Sequence, residues 1–370
     1  MPIPFLRPSL PCAEELLPYL RRVDAAGIYS NFGPLVRELE AEILARRFGG
    51  QGAVTTVANA TLGLMLAIAA VKRPGKRWAL LPSFTFAAGP LAALWCGLSP
   101  YFVDVAPGGW TLDAAALETA LETVGDEAAV IIPGPTFGTP MDLSGFERYR
   151  AAGLPVVVDA APAMGAGPDG AQYGVGFSGP VVYSLHATKP FGLGEGGLVY
   201  SADADLIGRI RRDANFGFNA ERAAEALGLN AKLSEYGAAV GLALLESLAQ
   251  RRAARRRVAD GYLQAFTRSG LAARSWEVQK PPPDCPQFWS LLTPPGRSNQ
   301  QVVAALALQG IECRTYFAPA CHQQPAFATA ARGPLPVTED LAARVLSLPF
   351  WETMSAAPIE AVVEALCRLA

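Results

Sequence analysis

Along this chain, short apolar runs alternate with segments whose apolar residues recur at helical spacing. In "GPLVRELEAEILARRFGG", Leu35, Leu39, Ile43 and Phe48 fall near a 3.6-residue period, Pro34 suits a first turn, and Gly49 and Gly50 stop the helix. The runs "WALLP", "PYFVDV", "AVIIPG", "LPVVVDA", "PVVYSL" and "GGLVYS" read as buried strands, and "TLDAAALETALETV" is the clearest of the helices between them. This alternation predicts an α/β fold with a mostly parallel sheet flanked by helices. Such sheets bind ligands at the C-terminal ends of their strands. After about Ser234 the strand signal fades. There "YGAAVGLALLESLAQRRAARRRVADGYLQAF" reads as one long helix, its arginine run a solvated face. "KPPPDCP" reads as a link into a compact C-terminal unit that ends in the helix "PIEAVVEALCRLA".

A length of 370 residues exceeds what one core usually serves, so we expect a large domain over residues 1–245 and a small one over 246–370. Apolar residues make up 51% and charged ones only 17%, which suits buried strands. A net charge of −2 shows no basic bias and gives no reason to expect a nucleic-acid partner. Two charge-free runs, residues 53–71 and 78–103, are long enough to span a bilayer. Threonines and an asparagine in the first, and three prolines in the second, make both interior core instead. The six cysteines show neither a C-x-x-C pair nor a cysteine–histidine spacing, so no metal site is expected. They read as reduced thiols of a soluble cytoplasmic protein.

The stretch "SLHATKPFGLGEGG" is the most demanding. Lys189 stands between a strand and a loop with four glycines in six positions. An amine buried near a strand end has a lowered pKa and becomes nucleophilic towards carbonyls. Asp159 closes the apolar "LPVVVDAA"; beside such a lysine, its carboxylate could keep a pyridinium nitrogen protonated. Asn59, Ala60 and Thr61 open an amphipathic helix whose N–H groups could hold a phosphate, with Ser184 adding a hydroxyl. Phe86 follows another strand and could stack on a flat ring. Each residue alone has a plain structural reading as cap, turn or core; their order along the chain does not.

Wording and order resemble the DegT/StrS-type sugar aminotransferases, pyridoxal-phosphate enzymes with the aspartate-aminotransferase (type I) fold. The resemblance runs through nearly the whole chain: "NFGPLVRELE", "PSFTFAA...GLSPYFVDV", the lysine loop, "GLNAKLSEYGAAVGLALLESL", "GIECRTYFAPACHQQPAF" and "ARVLSLPFWETMS". It implies a three-layer α/β/α large domain with a mostly parallel seven-stranded sheet, plus a smaller α+β C-terminal domain. It implies that Lys189 binds pyridoxal 5'-phosphate covalently and shuttles a proton, that Asp159 meets the ring nitrogen, and that Phe86 stacks on the ring. Ala60, Thr61 and Ser184 would hold the phosphate, with Asn230 reaching it from the neighbouring subunit of a homodimer with shared active sites. Tyr316 and His322 would approach the substrate, while His186 would be structural.

Several positions depart from the family pattern. Pro162 replaces the usual histidine or glutamine three residues after the aspartate, and a proline donates no side-chain hydrogen bond. The phosphate turn reads Asn59-Ala60-Thr61 rather than Ser-Gly-Thr, and "IPGPTFGTP" lacks the usual histidine. Lysine is retained, against the branch that substitutes histidine and dehydrates. The expected activity is therefore amino transfer, with glutamate as donor, to the keto group of a nucleotide-linked sugar. Two alternatives remain: a non-nucleotide natural-product ketone as acceptor or a divergent reaction, and a non-catalytic regulatory homologue.

Overall fold

A computed structural model describes residues 2–167, 172–279 and 285–369; most of the "KPPPDCP" link lies outside them. The strands are β1 (Ala53–Val57), β2 (Trp78–Pro82), β3 (Ser99–Val103), β4 (Ala128–Ile131), β5 (Val158–Asp159), β6 (Val181–Ser184), β7 (Gly197–Ser201), β8 (Glu277–Val278), β9 (Trp289–Leu292), β10 (Ala331–Arg332) and β11 (Val345–Leu348). β2 pairs in parallel with both β3 and β4, and β5 in parallel with β6. A parallel bridge from Ile131 to Val156, and the Asp159 N–H donating to Pro133 O at 2.9 Å, join β4 to β5. β7 runs antiparallel to both β6 and β1. The large domain is thus one seven-stranded sheet in the order β1-β7-β6-β5-β4-β2-β3, mostly parallel, as expected. β10 adds a short parallel edge to β3.

Alternate residues of each strand feed opposite layers. Val181, Tyr183, Leu198 and Tyr200 pack with helices Pro34–Phe48, Ala114–Val124 and Glu235–Ser269. Val182 and Val199 pack with helices Ala60–Val71, Ala88–Trp95 and Ala204–Asp213 on the other face. Both faces of the sheet are covered, which is why its strands read as continuous apolar runs. The small domain is a three-stranded antiparallel sheet, β11-β9-β8, against Ala356–Leu369 and the second half of Glu235–Ser269.

Each long charge-free run breaks into short elements: β1 then Ala60–Val71, and β2, Ala88–Trp95 then β3. Among the described residues, no helix is long and apolar enough to cross a membrane. The arginine run departs from the expected solvated face at one position: Arg256 and Arg257 are exposed, but Arg255 is buried and donates to Pro286 O at 3.0 Å and Gln287 O at 2.8 Å, because its side of the helix turns towards that segment.

Candidate active site

The C-terminal strand ends converge on one cavity of about 360 Å³, open to solvent at its mouth. Asp159 ends β5, Ser184 ends β6, and Lys189 sits in the loop that returns to β7. That loop holds its shape through backbone bonds: Ala187 N–H to Gly194 O and Lys189 N–H to His186 O, both 2.8 Å, and Leu185 N–H to Gly196 O at 2.9 Å. A Cβ on Gly192 would stand 2.5 Å from His186 O, so a side chain there would force the loop open. His186 Nδ1 lies 2.8 Å from Thr188 Oγ1 and its Nε2 3.7 Å from Glu195 Oε1, and the half-exposed ring also lines the cavity.

Lys189 and Asp159 face the cavity together, each only partly open to it. Burial lowers the Lys189 amine to about 8, and Asp159 pulls weakly the other way. Burial raises the Asp159 carboxyl, while the Ala161 N–H and the lysine charge oppose that rise. A Cβ on Gly134 would meet the carbonyl oxygen of Asp159 at 2.6 Å, so the β4–β5 approach that sets this carboxylate needs glycine there.

Helix Ala60–Val71 points its N-terminus at the same cavity. Asn59 Oδ1 accepts from Leu62 N–H at 3.0 Å, which leaves Ala60 and Thr61 to present first-turn N–H groups that have no partner within the helix. Beneath them, a Cβ on Gly197 would come within 2.8 Å of Ala60 N. Ser184 Oγ accepts from His186 N–H at 3.2 Å, so its own hydrogen remains available to an acceptor. Phe86 is 61% exposed and forms part of the cavity wall.

The structure therefore brings Lys189, Asp159, Ala60, Thr61, Ser184, Phe86 and Tyr316 to one cavity. Neither Asn230 nor His322 lines it. Asn230 is exposed, its backbone bridged to Asn215. His322 is buried behind β2, bonded to Ser83. Sequence reading missed an aromatic wall: Phe137, Phe288 and Phe317 join Phe86 and Tyr316 opposite the lysine. Tyr316 stacks on Phe288 at 5.4 Å and Phe317 lies 5.2 Å from Phe137. These rings come from loops far apart in sequence, so no local pattern announces them.

A lysine amine beside a carboxylate, at the strand ends of a doubly covered, mostly parallel sheet with a separate small domain, defines a pyridoxal-phosphate enzyme of the aspartate-aminotransferase type. The chain belongs to the DegT/DnrJ/EryC1/StrS aminotransferase family, whose model matches residues 12–367. A Bacillus cereus protein, provisionally classed as a PLP-dependent aminotransferase, has a similar structure (TM-score 0.97, 44% identity, 99% of this chain and 100% of that one). The structure of DesI in the presence of its TDP-sugar product is also similar, with TM-score 0.87 and 32% identity over 100% of this chain and 93% of its own. The UDP-N-acetyl-3-dehydro-alpha-D-glucosamine 3-aminotransferase of Acidithiobacillus ferrooxidans is 32% identical over 97% of this chain and 94% of its length.

Proposed function

We propose that this aminotransferase moves an amino group from glutamate to the keto group of a nucleotide-linked sugar, with pyridoxal 5'-phosphate held in the cavity. One observation carries the reading: an amine at about 8, facing a carboxylate, where the strand ends meet a helix N-terminus. The residues present fit the cofactor. Ala60 and Thr61 N–H groups and the Ser184 hydroxyl form a cradle for a phosphate. Asp159 lies opposite Lys189 to take a protonated ring nitrogen, and Phe86 offers an aromatic face. Asn230, exposed on this chain, would complete the phosphate site of a second copy.

When bound, pyridoxal phosphate supplies an electron-withdrawing ring that acidifies a neighbouring C–H. Lys189 Nζ would carry that proton between the substrate carbon and the cofactor's benzylic carbon, in one direction with the donor and in the other with the acceptor. Asp159 would hold negative charge beside the ring nitrogen and so favour its protonated form.

The relatives' named substrates support a nucleotide sugar as acceptor. The wall of Phe137, Phe288, Tyr316 and Phe317 supports a second reading, in which the acceptor is an uncharged ring ketone without a nucleotide. One experiment separates these. Purified protein loaded with pyridoxal phosphate should absorb in the visible and lose that band on adding glutamate; a panel of keto-sugar nucleotides and free ring ketones then identifies the acceptor. A protein that never acquires the band refutes the enzymatic reading. Turnover of free ketones alone replaces the first acceptor with the second.

A further inference from the structure

We propose that His322 acts as a positioning residue: it latches the small-domain segment carrying Tyr316 and Phe317 to the end of β2, and so sets the Phe86 wall of the cavity. The latch is a compact set of bonds between residues 321–322 and 83–85. Cys321 N–H donates to Ser83 O at 3.0 Å, and His322 N–H donates to Ser83 Oγ at 3.1 Å. The Cys321 thiol lies 3.2 Å from Thr85 O. Ser83 Oγ is 2.7 Å from His322 Nδ1.

The imidazole is what makes the set close on itself. Ser83 is fully buried, and among the described residues its hydroxyl hydrogen has one side-chain partner within reach, Nδ1. A buried hydroxyl donates, so Nδ1 accepts and Nε2 carries the ring hydrogen, facing Glu339 Oε1 at 3.6 Å. Burial, with Arg332 adding to it, holds the imidazole below its usual pKa and favours the neutral form this requires, against the opposing pull of Glu339 and Asp104.

Both ends of the latch lead to the cavity. Thr85 and Phe86 lie two and three residues after Ser83, Tyr316 and Phe317 lie just before the turn, and all four line the cavity. The rings of Phe86 and Phe317 stand 6.4 Å apart, so the two latched segments also touch through the wall itself. Phe84 between them is fully buried against Phe317 at 5.5 Å. A side chain that never meets the cavity thus controls two segments that do.

The test compares His322→Leu, His322→Asn, Ser83→Ala and the double variant Ser83→Ala/His322→Leu. Asparagine can replace Nδ1 as an acceptor; leucine leaves the Ser83 hydroxyl unpaired. Two readouts are taken: the dissociation constant and visible circular dichroism of bound pyridoxal phosphate, and the 19F spectrum of 4-fluorophenylalanine placed at position 86, with and without cofactor. His322→Leu and Ser83→Ala should each weaken cofactor binding by about tenfold and broaden or shift the 19F signal. His322→Asn should stay within about threefold of the parent, and the double variant should be no worse than either single one. The latch is wrong if His322→Leu folds yet leaves both readouts unchanged, if His322→Asn fails as badly as leucine, or if the two single losses add. Should His322→Leu not fold, Ser83→Ala and His322→Asn decide alone. The 19F arm without cofactor tests the latch even in a protein that binds no pyridoxal phosphate, so its failure is distinct from failure of the functional reading, on which only the cofactor arm rests.

Discussion

At Lys189, two influences act on one amine, and burial wins over the nearby carboxylate. Attachment of pyridoxal phosphate needs the neutral amine, so its rate in the apo-protein should rise with pH and level off just above about 8; an inflection near the 10.5 of a free lysine would show the amine to be solvated. The same shift has a consequence for stability. The unfolded chain holds that proton more tightly, so this group's contribution to stability is least favourable below about 8 and improves as pH rises from there towards 10.5. Lys189→Ala should leave no borohydride-reducible cofactor bond. Asp159→Ala should keep that bond and lose at least about tenfold in rate, some 1.4 kcal/mol of barrier. A smaller loss would mean the carboxylate does not face the ring nitrogen.

At the scale of elements, the phosphate cradle depends on how closely β7 passes beneath helix Ala60–Val71. Gly197→Ala would press a methyl to 2.8 Å from Ala60 N and Asn59 C, pushing the helix start into the cradle. We expect weaker pyridoxal-phosphate binding with the fold retained, read by cofactor titration beside thermal melting; unchanged affinity would remove this helix from the phosphate site. Helix Pro34–Phe48 is set in a different way. Buried Glu235 accepts from Leu35 N–H at 2.8 Å and Val36 N–H at 3.0 Å, a cap supplied from 200 residues away in sequence. Its removal in Glu235→Ala orphans both donors, and the denaturation midpoint should fall by the equivalent of about 2 kcal/mol. Glu235 also begins the helix Glu235–Ser269, whose early residues pack in the large-domain core and whose later ones, from Val258, pack in the small. The two domains are joined by one continuous rod, and we infer that the change of core along it, rather than a loop, marks their boundary.

For the whole molecule, one chain presents only part of the proposed site. Asn230 faces solvent and lies outside the cavity, which supports the proposal that it completes the phosphate site of a second copy. Mixing Lys189→Ala subunits with Asn230→Ala subunits should recover activity above either variant alone, because a mixed dimer contains one complete site. No gain on mixing, with dimers confirmed by sedimentation, would refute sharing through Asn230.

Strand and helix order, and the residues closing each strand, were legible in the sequence because burial on both faces forces continuous apolar runs, and punctuation by Pro34, Gly49 and Asn59 is a local backbone effect. β1 was hidden in the first charge-free run because buried Thr55 and Thr56, the latter bonded to Glu40, blur its pattern. That Lys189, Asp159, Ala60, Thr61, Ser184 and Phe86 share one cavity was legible because each lies at a strand or helix end that the sequence marks, or in the loop just after one. The aromatic wall, the buried Arg255 and the turning of His322 away from the cavity onto Ser83 were decided only in three dimensions. Each depends on which distant segments come to lie side by side, and a side chain's direction is set by those neighbours rather than by its place in the chain.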